Sequence, residues 1–95
     1  MTAYVIADIE VTDPAAYEGY KTAVGATIAA FGGRYLSRAG HTEVLEGGWQ
    51  PKRLVILEFP SLAQAQAWYR SPGYAPLLAL RKSASQSQLV ITEGL

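Results

Sequence analysis

The stretch Gly32–Ser61, GGRYLSRAGHTEVLEGGWQPKRLVILEFPS, decides the fold. Its opening glycine pair stops a helix by supplying positive φ. Arg34 to Ala39 then reads as a strand, and Thr42 to Leu45 as a short continuation beyond a kink at Gly40. Gly47-Gly48 marks a turn, followed by a tethered segment through Trp49 and Pro51. Arg53 to Phe59 is the most strand-like run in the chain, rich in aliphatic residues and ended by Pro60. Ser61, with Gln64 three residues on, carries the capping-box signature of a following helix. The same run holds the single histidine, the first of two tryptophans and half of the eight basic residues, so chemistry is expected to concentrate there.

Upstream, Tyr4 to Val11 alternates, with Val5, Ala7, Ile9 and Val11 on one face and Tyr4, Ile6, Asp8 and Glu10 on the other. Asp13 then serves as an N-cap acceptor, and Pro14 takes the first helical position, where its missing N–H costs nothing. Tyr17, Tyr20, Val24, Ile28 and Phe31 follow at helical spacing on one stripe. Downstream of Ser61, a helix through Arg70 turns Ala65, Trp68 and Tyr69 inward, and Trp68 reads as core. Ser71-Pro72-Gly73 breaks it, and Tyr74 to Lys82 forms a further short helix with Leu77, Leu78 and Arg81 on a shared face. A polar Ser/Gln connector leads to a last strand, Leu89 to Glu93.

The order β-α-β-β-α-β, with right-handed crossovers, is satisfied by an α+β ferredoxin-like sandwich: an antiparallel four-stranded sheet with its helices on one face. Residues 1–95 form a single domain. A chain this short buries only roughly 60–65% of its unfolded surface. It has no cysteine to staple it, and 49% of its residues are hydrophobic against 17% charged, which favours a homodimer with a shared buried surface. The uncovered sheet face, with Tyr4, Ile6, Asp8 and Glu10 in the first strand and Leu54, Ile56 and Glu58 in the third, suits neither a dry core nor open solvent. A second copy packed sheet against sheet, around a small polar-lined cavity, resolves that conflict.

Eight basic and eight acidic residues cancel, so no net field draws nucleic acid or anionic membrane. KRLVILEF, from Lys52 to Phe59, lacks the internal glycine and exposed aromatics of an RNA-recognition strand. No run approaches the roughly 20 apolar residues of a membrane span. The start, MTAYVIADIEV, lacks a basic n-region. A cytoplasmic protein with neither nucleic-acid nor membrane partners is the expectation. The chain also shows no phosphate loop and no nucleophile elbow, and Ser61 reads as a cap and not as a nucleophile.

GGRYLSRAG, the glycine–tryptophan turn with Pro51 and Arg53, the strand ending EFPS and the block WYRSPGY together resemble the domain-of-unknown-function family numbered 1330. The resemblance runs from Tyr4 to Gly94 and implies a dimeric α/β barrel, in which two ferredoxin-like sheets close face to face. It also implies a superfamily that includes small cofactor-independent oxygenases, muconolactone-isomerase-like proteins and haem-binding relatives. The family has no agreed activity, so the resemblance bears on fold and dimer more than on chemistry.

Among candidate site residues, His41 has the one side chain whose ordinary pKa lies near neutrality, and Glu43 lies at same-face spacing from it. The alternative is an exposed loop histidine. One histidine does not make a zinc site, and no metal is expected. Asp8 and Glu58 lie mid-strand on the uncovered face of central, neighbouring strands, where two carboxylates close together would raise one pKa for acid–base work. The alternative is ion pairing to Arg34 or Arg38, which read as sharing one strand face. Arg34, Arg38, Arg53 and Arg81 are anion binders by type. Trp49, Tyr69 and Tyr74 are candidates to line an aromatic-substrate pocket, Trp49 alternatively to plug a partner subunit. Two functions stay open: an enzyme needing no cofactor, with Asp8, Glu58 or His41 moving protons on a small organic acid or aromatic molecule, or a non-catalytic small-molecule-binding or structural homodimer.

Overall fold

The first strand, β1 (Ala3–Val11), alternates as its sequence predicts: Ala3, Val5, Ala7 and Ile9 are buried, while Tyr4, Ile6 and Asp8 stay half-exposed on the opposite face. The structure, a computed structural model, describes residues 1–95. Helix α1 (Pro14–Ala30) starts where the Asp13 side chain accepts the Ala16 N–H at 3.2 Å, with Pro14 in the first turn. Its buried stripe is Tyr17, Tyr20, Val24 and Ile28.

Two glycines end α1 for different reasons. Gly32 has φ +77°, the left-handed conformation that costs other residues about 1–2 kcal/mol. The N–H of Gly32 donates to Ala29 O and that of Gly33 to Ile28 O, both at 3.0 Å, the pairing of a Schellman stop. Gly33 is needed for space: a Cβ there would sit 2.5 Å from a Phe59 ring carbon and 2.8 Å from the Ile28 Cγ2 methyl.

Strand β2 (Arg34–Arg38) and strand β3 (Leu54–Phe59) follow, then α2 (Leu62–Tyr69), α3 (Ala75–Ala84) and β4 (Ser85–Glu93). The antiparallel sheet has the order β2-β3-β1-β4 and is open, with β2 and β4 at its edges. Ser61 Oγ caps α2 by accepting the Gln64 N–H at 3.1 Å. The Gln64 amide reaches across to the Phe31 carbonyl at 3.2 Å, tying the start of α2 to the end of α1. Val5, Leu57, Phe59, Trp68 and Tyr74 form the centre of one core between sheet and helices. No helix is long and apolar enough to cross a membrane.

Three expectations are corrected. Thr42 to Leu45 form no strand; the whole segment from Gly40 to Lys52 is irregular. The Ser/Gln run is not a connector but the first half of β4, which pairs with β1 from Ser85 against Val11 to Glu93 against Ala3. An edge strand takes its backbone bonds from one neighbour and needs apolar side chains only where the sheet is covered, so SQSQ suffices. Third, a bulge between Tyr35 and Ser37 reverses the facing of β2 midway. Arg34 stands opposite Glu58, on the open face, whereas Arg38 stands opposite the buried Val55, on the helix face. The two arginines therefore do not share a face.

The irregular segment is anchored to β1. The Trp49 Nε1–H donates to Asp8 Oδ2, and the Lys52 backbone N–H to Asp8 Oδ1, both at 2.9 Å. The Trp49 hydrogen bond holds the Asp8 pKa below its ordinary 3.8; burial opposes this, and the Lys52 N–H adds to it. A carboxyl with a lowered folded-state pKa contributes stability that is full above its unfolded value and is lost as pH falls through the folded one.

Two predictions follow from these contacts. Gly33→Ala is expected to lose about 1–3 kcal/mol in urea unfolding, the cost of overpacking against Phe59 and Ile28. Gly25→Ala, where a Cβ meets nothing within 4 Å, should gain about 0.5–1 kcal/mol. On acidification below pH 3.8, the Trp49 emission should shift as its tether protonates. In Asp8→Asn, which retains one acceptor for two donors, that shift should be absent and the loosened spectrum present already at pH 7.

Candidate functional site

The two carboxylates expected to cooperate do not meet. In the β1–β3 register Glu58 stands opposite Tyr4 and Asp8 opposite Leu54. They are thus four residues apart along the ladder, about 13 Å at the usual strand rise. Each has its own partner. Glu58 Oε1 accepts from Arg34 Nε at 2.7 Å, a partly exposed ion pair worth at most about 1 kcal/mol. Asp8 holds Trp49 and Lys52 and is pushed toward the ionised form, the opposite of what a general acid requires.

His41 lies on the irregular segment, and its Nε2 is 3.2 Å from Glu43 Oε1, with both side chains exposed. The expected pair exists, but on the surface, and neither residue lines the cavity described next. Trp49 is also exposed and is engaged by Asp8. No three His, Asp or Glu side chains converge on a metal-sized site.

A cavity of about 350 Å³ opens on the opposite side of the sheet, between α1 and the inner faces of β1 and β3. That is within the size range of small-molecule sites. Val5, Val24, Ile28 and Leu57 form part of its apolar wall, and Trp68 adds an aromatic edge. Arg38, Arg53 and Arg81 bring cationic groups to it. Arg38 reaches the cavity because of the β2 bulge, its guanidinium 4.9 Å from the Tyr35 ring centre. Arg53, just before β3, lies 5.7 Å from the Tyr17 ring centre, and its Nε is buried without a hydrogen-bond partner.

Arg81 is only 3% exposed and forms no ion pair. Its Nε donates to Tyr74 Oη at 3.4 Å, and Tyr74 Oη lies 2.8 Å from Tyr20 Oη. Burial, the largest single influence, works against the Arg81 charge, but the hydrogen bond to Tyr74 and the pull of Tyr74, Tyr20 and Tyr69 together outweigh it and the pKa is raised. Tyr20 is raised as well, first by burial and then by Tyr74; Tyr17 is raised by burial despite the Arg53 charge beside it. All three groups therefore keep their ordinary charge at neutral pH: one guanidinium and two neutral phenols.

Of the residues singled out from sequence as site candidates, Arg38, Arg53 and Arg81 line this cavity. Asp8, Glu58, Arg34, His41 and Trp49 do not. Tyr74 is fully buried, its ring 4.4 Å from that of Trp68, and so is a core residue where a pocket mouth was expected. Tyr69, half-buried, packs on Trp68 and Tyr74 beside a smaller recess shared with Arg81 and Ser85. Tyr17 and Tyr20 were read only as core stripe. Two hydroxyls on the buried stripe of a helix were the signal, because a buried hydroxyl needs a partner or a ligand.

Comparison with known proteins agrees with this fold. The chain superposes on a protein of unknown function from Rhodopseudomonas palustris with a TM-score of 0.80 at 20% identity, covering 99% of this chain and 82% of that one. It is similar in fold to a dimeric ferredoxin-like protein of unknown function from Thermobifida fusca, with a TM-score of 0.67, 19% identity and coverage of 99% and 92%. It is likewise similar to SnoaB, a cofactor-independent oxygenase from Streptomyces nogalater, with a TM-score of 0.64, 17% identity and coverage of 99% and 92%. At these identities the likeness concerns the fold alone. No curated protein of known annotation matches the sequence. The family described as "Domain of unknown function (DUF1330)" matches over residues 2–95, nearly the whole length, and the chain belongs to that family.

Proposed function

We propose that this protein binds a small organic acid with a largely apolar body in the cavity between α1 and the sheet. The observation that carries the reading is the charge inside that cavity. Arg81 is buried with no carboxylate beside it, and Arg53, which also lines the cavity, has a buried Nε without a hydrogen-bond partner. The one acid at the rim, Glu18, is 3.5 Å from Lys21 and is exposed. Keeping guanidinium groups out of water without a counter-charge is costly, and a ligand carboxylate offsets that cost while matching their paired N–H donors. The apolar wall and Trp68 suit the remainder of such a molecule.

The same reading places two copies sheet to sheet. Ile56, Ile6 and Val90 stand side by side in the strand register and form an aliphatic stripe across the open face. Val90 is 59% exposed in the single chain. The dimeric ferredoxin-like relative from Thermobifida fusca supports this arrangement, and burial of the stripe supplies what so short a chain lacks.

A second reading, a cofactor-independent reaction on the bound acid, is favoured by the likeness to the oxygenase SnoaB. Proton transfer in this cavity would fall to Tyr17, Tyr20 or Glu18, since Asp8, Glu58 and His41 lie outside it.

Calorimetric titration with 4-isopropenylbenzoate, a carboxylate on an apolar aromatic body, tests the binding. The wild type should bind it, the neutral 4-isopropenylbenzamide should not, and Arg53→Met should weaken the acid by about tenfold or more. Equal binding of acid and amide sinks the reading. For the assembly, sedimentation velocity at micromolar concentration should give a dimer, and Val90→Asp a folded monomer. A monomeric wild type would overturn the sheet-to-sheet arrangement.

A further inference from the structure

The buried chain Arg81–Tyr74–Tyr20 has a first step that its chemistry fixes and a second that it favours. A guanidinium only donates, so at the 3.4 Å contact Tyr74 Oη is the acceptor. Tyr74 has one hydroxyl proton of its own and is fully buried, and its Oη makes one other contact, the 2.8 Å approach to Tyr20 Oη. Were Tyr20 the donor there, the Tyr74 proton would be buried with no acceptor, a loss of about 1–3 kcal/mol. Tyr20 is buried too, but it lines the cavity, where a ligand can accept its proton, and this favours the order Arg81 to Tyr74 to Tyr20. That order leaves the Tyr20 proton without a protein acceptor.

We infer that Tyr20 is a directed hydrogen-bond donor for a second, neutral oxygen of the ligand, so that the cavity selects acids that also carry a carbonyl group. This inference rests on the organic-acid reading of the cavity. Arg53 and Tyr20 both neighbour Tyr17, the guanidinium 5.7 Å and the Tyr20 ring 5.3 Å from its ring centre. One small molecule can therefore reach the cation with its carboxylate and the phenol with its carbonyl. Donation through the chain also makes Tyr20 a better donor than an isolated phenol, because each hydrogen bond polarises the next. Burial keeps the Tyr20 hydroxyl protonated, so it is present as a donor across the physiological range. Arg81 and Tyr74 act here as positioning residues: they set the direction in which Tyr20 donates and need not touch the ligand oxygen.

The test compares 4-acetylbenzoate with 4-isopropenylbenzoate, in which a CH₂ replaces the carbonyl oxygen and shape is nearly kept. Calorimetry on the wild type should show the acetyl compound bound about three- to tenfold more tightly, the worth of one net hydrogen bond. Tyr20→Phe should abolish that preference while leaving the affinity for 4-isopropenylbenzoate within about twofold, which also shows that the variant folds. Tyr74→Phe keeps the Tyr20 hydroxyl but removes the group that directs it, and should lower the preference part of the way. A merely structural role for either tyrosine would move both affinities together and leave their ratio unchanged. Binding of both acids without preference in the wild type, or a preference that survives Tyr20→Phe, overturns this inference and leaves the organic-acid reading intact. Failure of the wild type to bind either acid overturns both.

Discussion

A continuous chain of rings holds the helix layer on the sheet, and the rest of the architecture is arranged around it. Phe59 on β3 meets Trp68 on α2 at 5.4 Å, Trp68 meets Tyr74 ahead of α3 at 4.4 Å, Tyr74 meets Tyr20 on α1 at 6.3 Å, and Tyr20 meets Tyr17 at 5.3 Å. Each element of the helix layer is thereby fixed to the next through contacts that bury large apolar area. Several polar groups on these rings find partners inside the layer: Trp68 Nε1 donates to Thr27 Oγ1, Tyr20 and Tyr74 bond each other, and Tyr74 accepts from Arg81. Rings of this size do not fill space evenly. Beside them, between α1 and the sheet, they leave the cavity.

Local chemistry was legible in the sequence because it depends on near neighbours. Alternation in β1, the Asp13 and Ser61 caps, the glycine stop after α1 and the burial of Trp68 all follow from side chains within a few residues of one another. What the sequence hid depends on register. Asp8 and Glu58 occupy the face expected of them, but pairing β1 with β3 sets them four residues apart, and alternation along single strands cannot show that offset. The β2 bulge is equally silent, since Leu36 carries no glycine or proline to announce it, yet it moves Arg38 from one face of the sheet to the other. The polar start of β4 was hidden because an edge strand is defined by backbone pairing and not by its side chains.

The two faces of the sheet consequently do different work. The open face carries the Arg34–Glu58 pair, the aliphatic stripe and the Asp8 anchor. The covered face carries the arginines and phenols that converge on a space. The charged residues most conspicuous in the sequence lay on the first of these faces. The cavity was signalled more quietly, by the Tyr17 and Tyr20 hydroxyls and the Arg81 guanidinium at helical positions that an all-apolar stripe would have filled.

One residue couples the faces. The Asp8 carboxylate, on the open side, takes the backbone N–H of Lys52, and the next carbonyl, that of Arg53, accepts from Ile9 N at 3.0 Å. These two bonds fix the backbone as the irregular segment enters β3, and that is the point from which the Arg53 side chain passes to the cavity. Its buried Nε has no hydrogen-bond partner, so its aim is set by the held backbone and by the Tyr17 ring, 5.7 Å from its guanidinium. Asp8 thus serves the site without belonging to it. The Asp8 carboxylate is an anchor in this fold, and the Lys52 N–H that helps to keep it ionised also holds the backbone next to Arg53 in place.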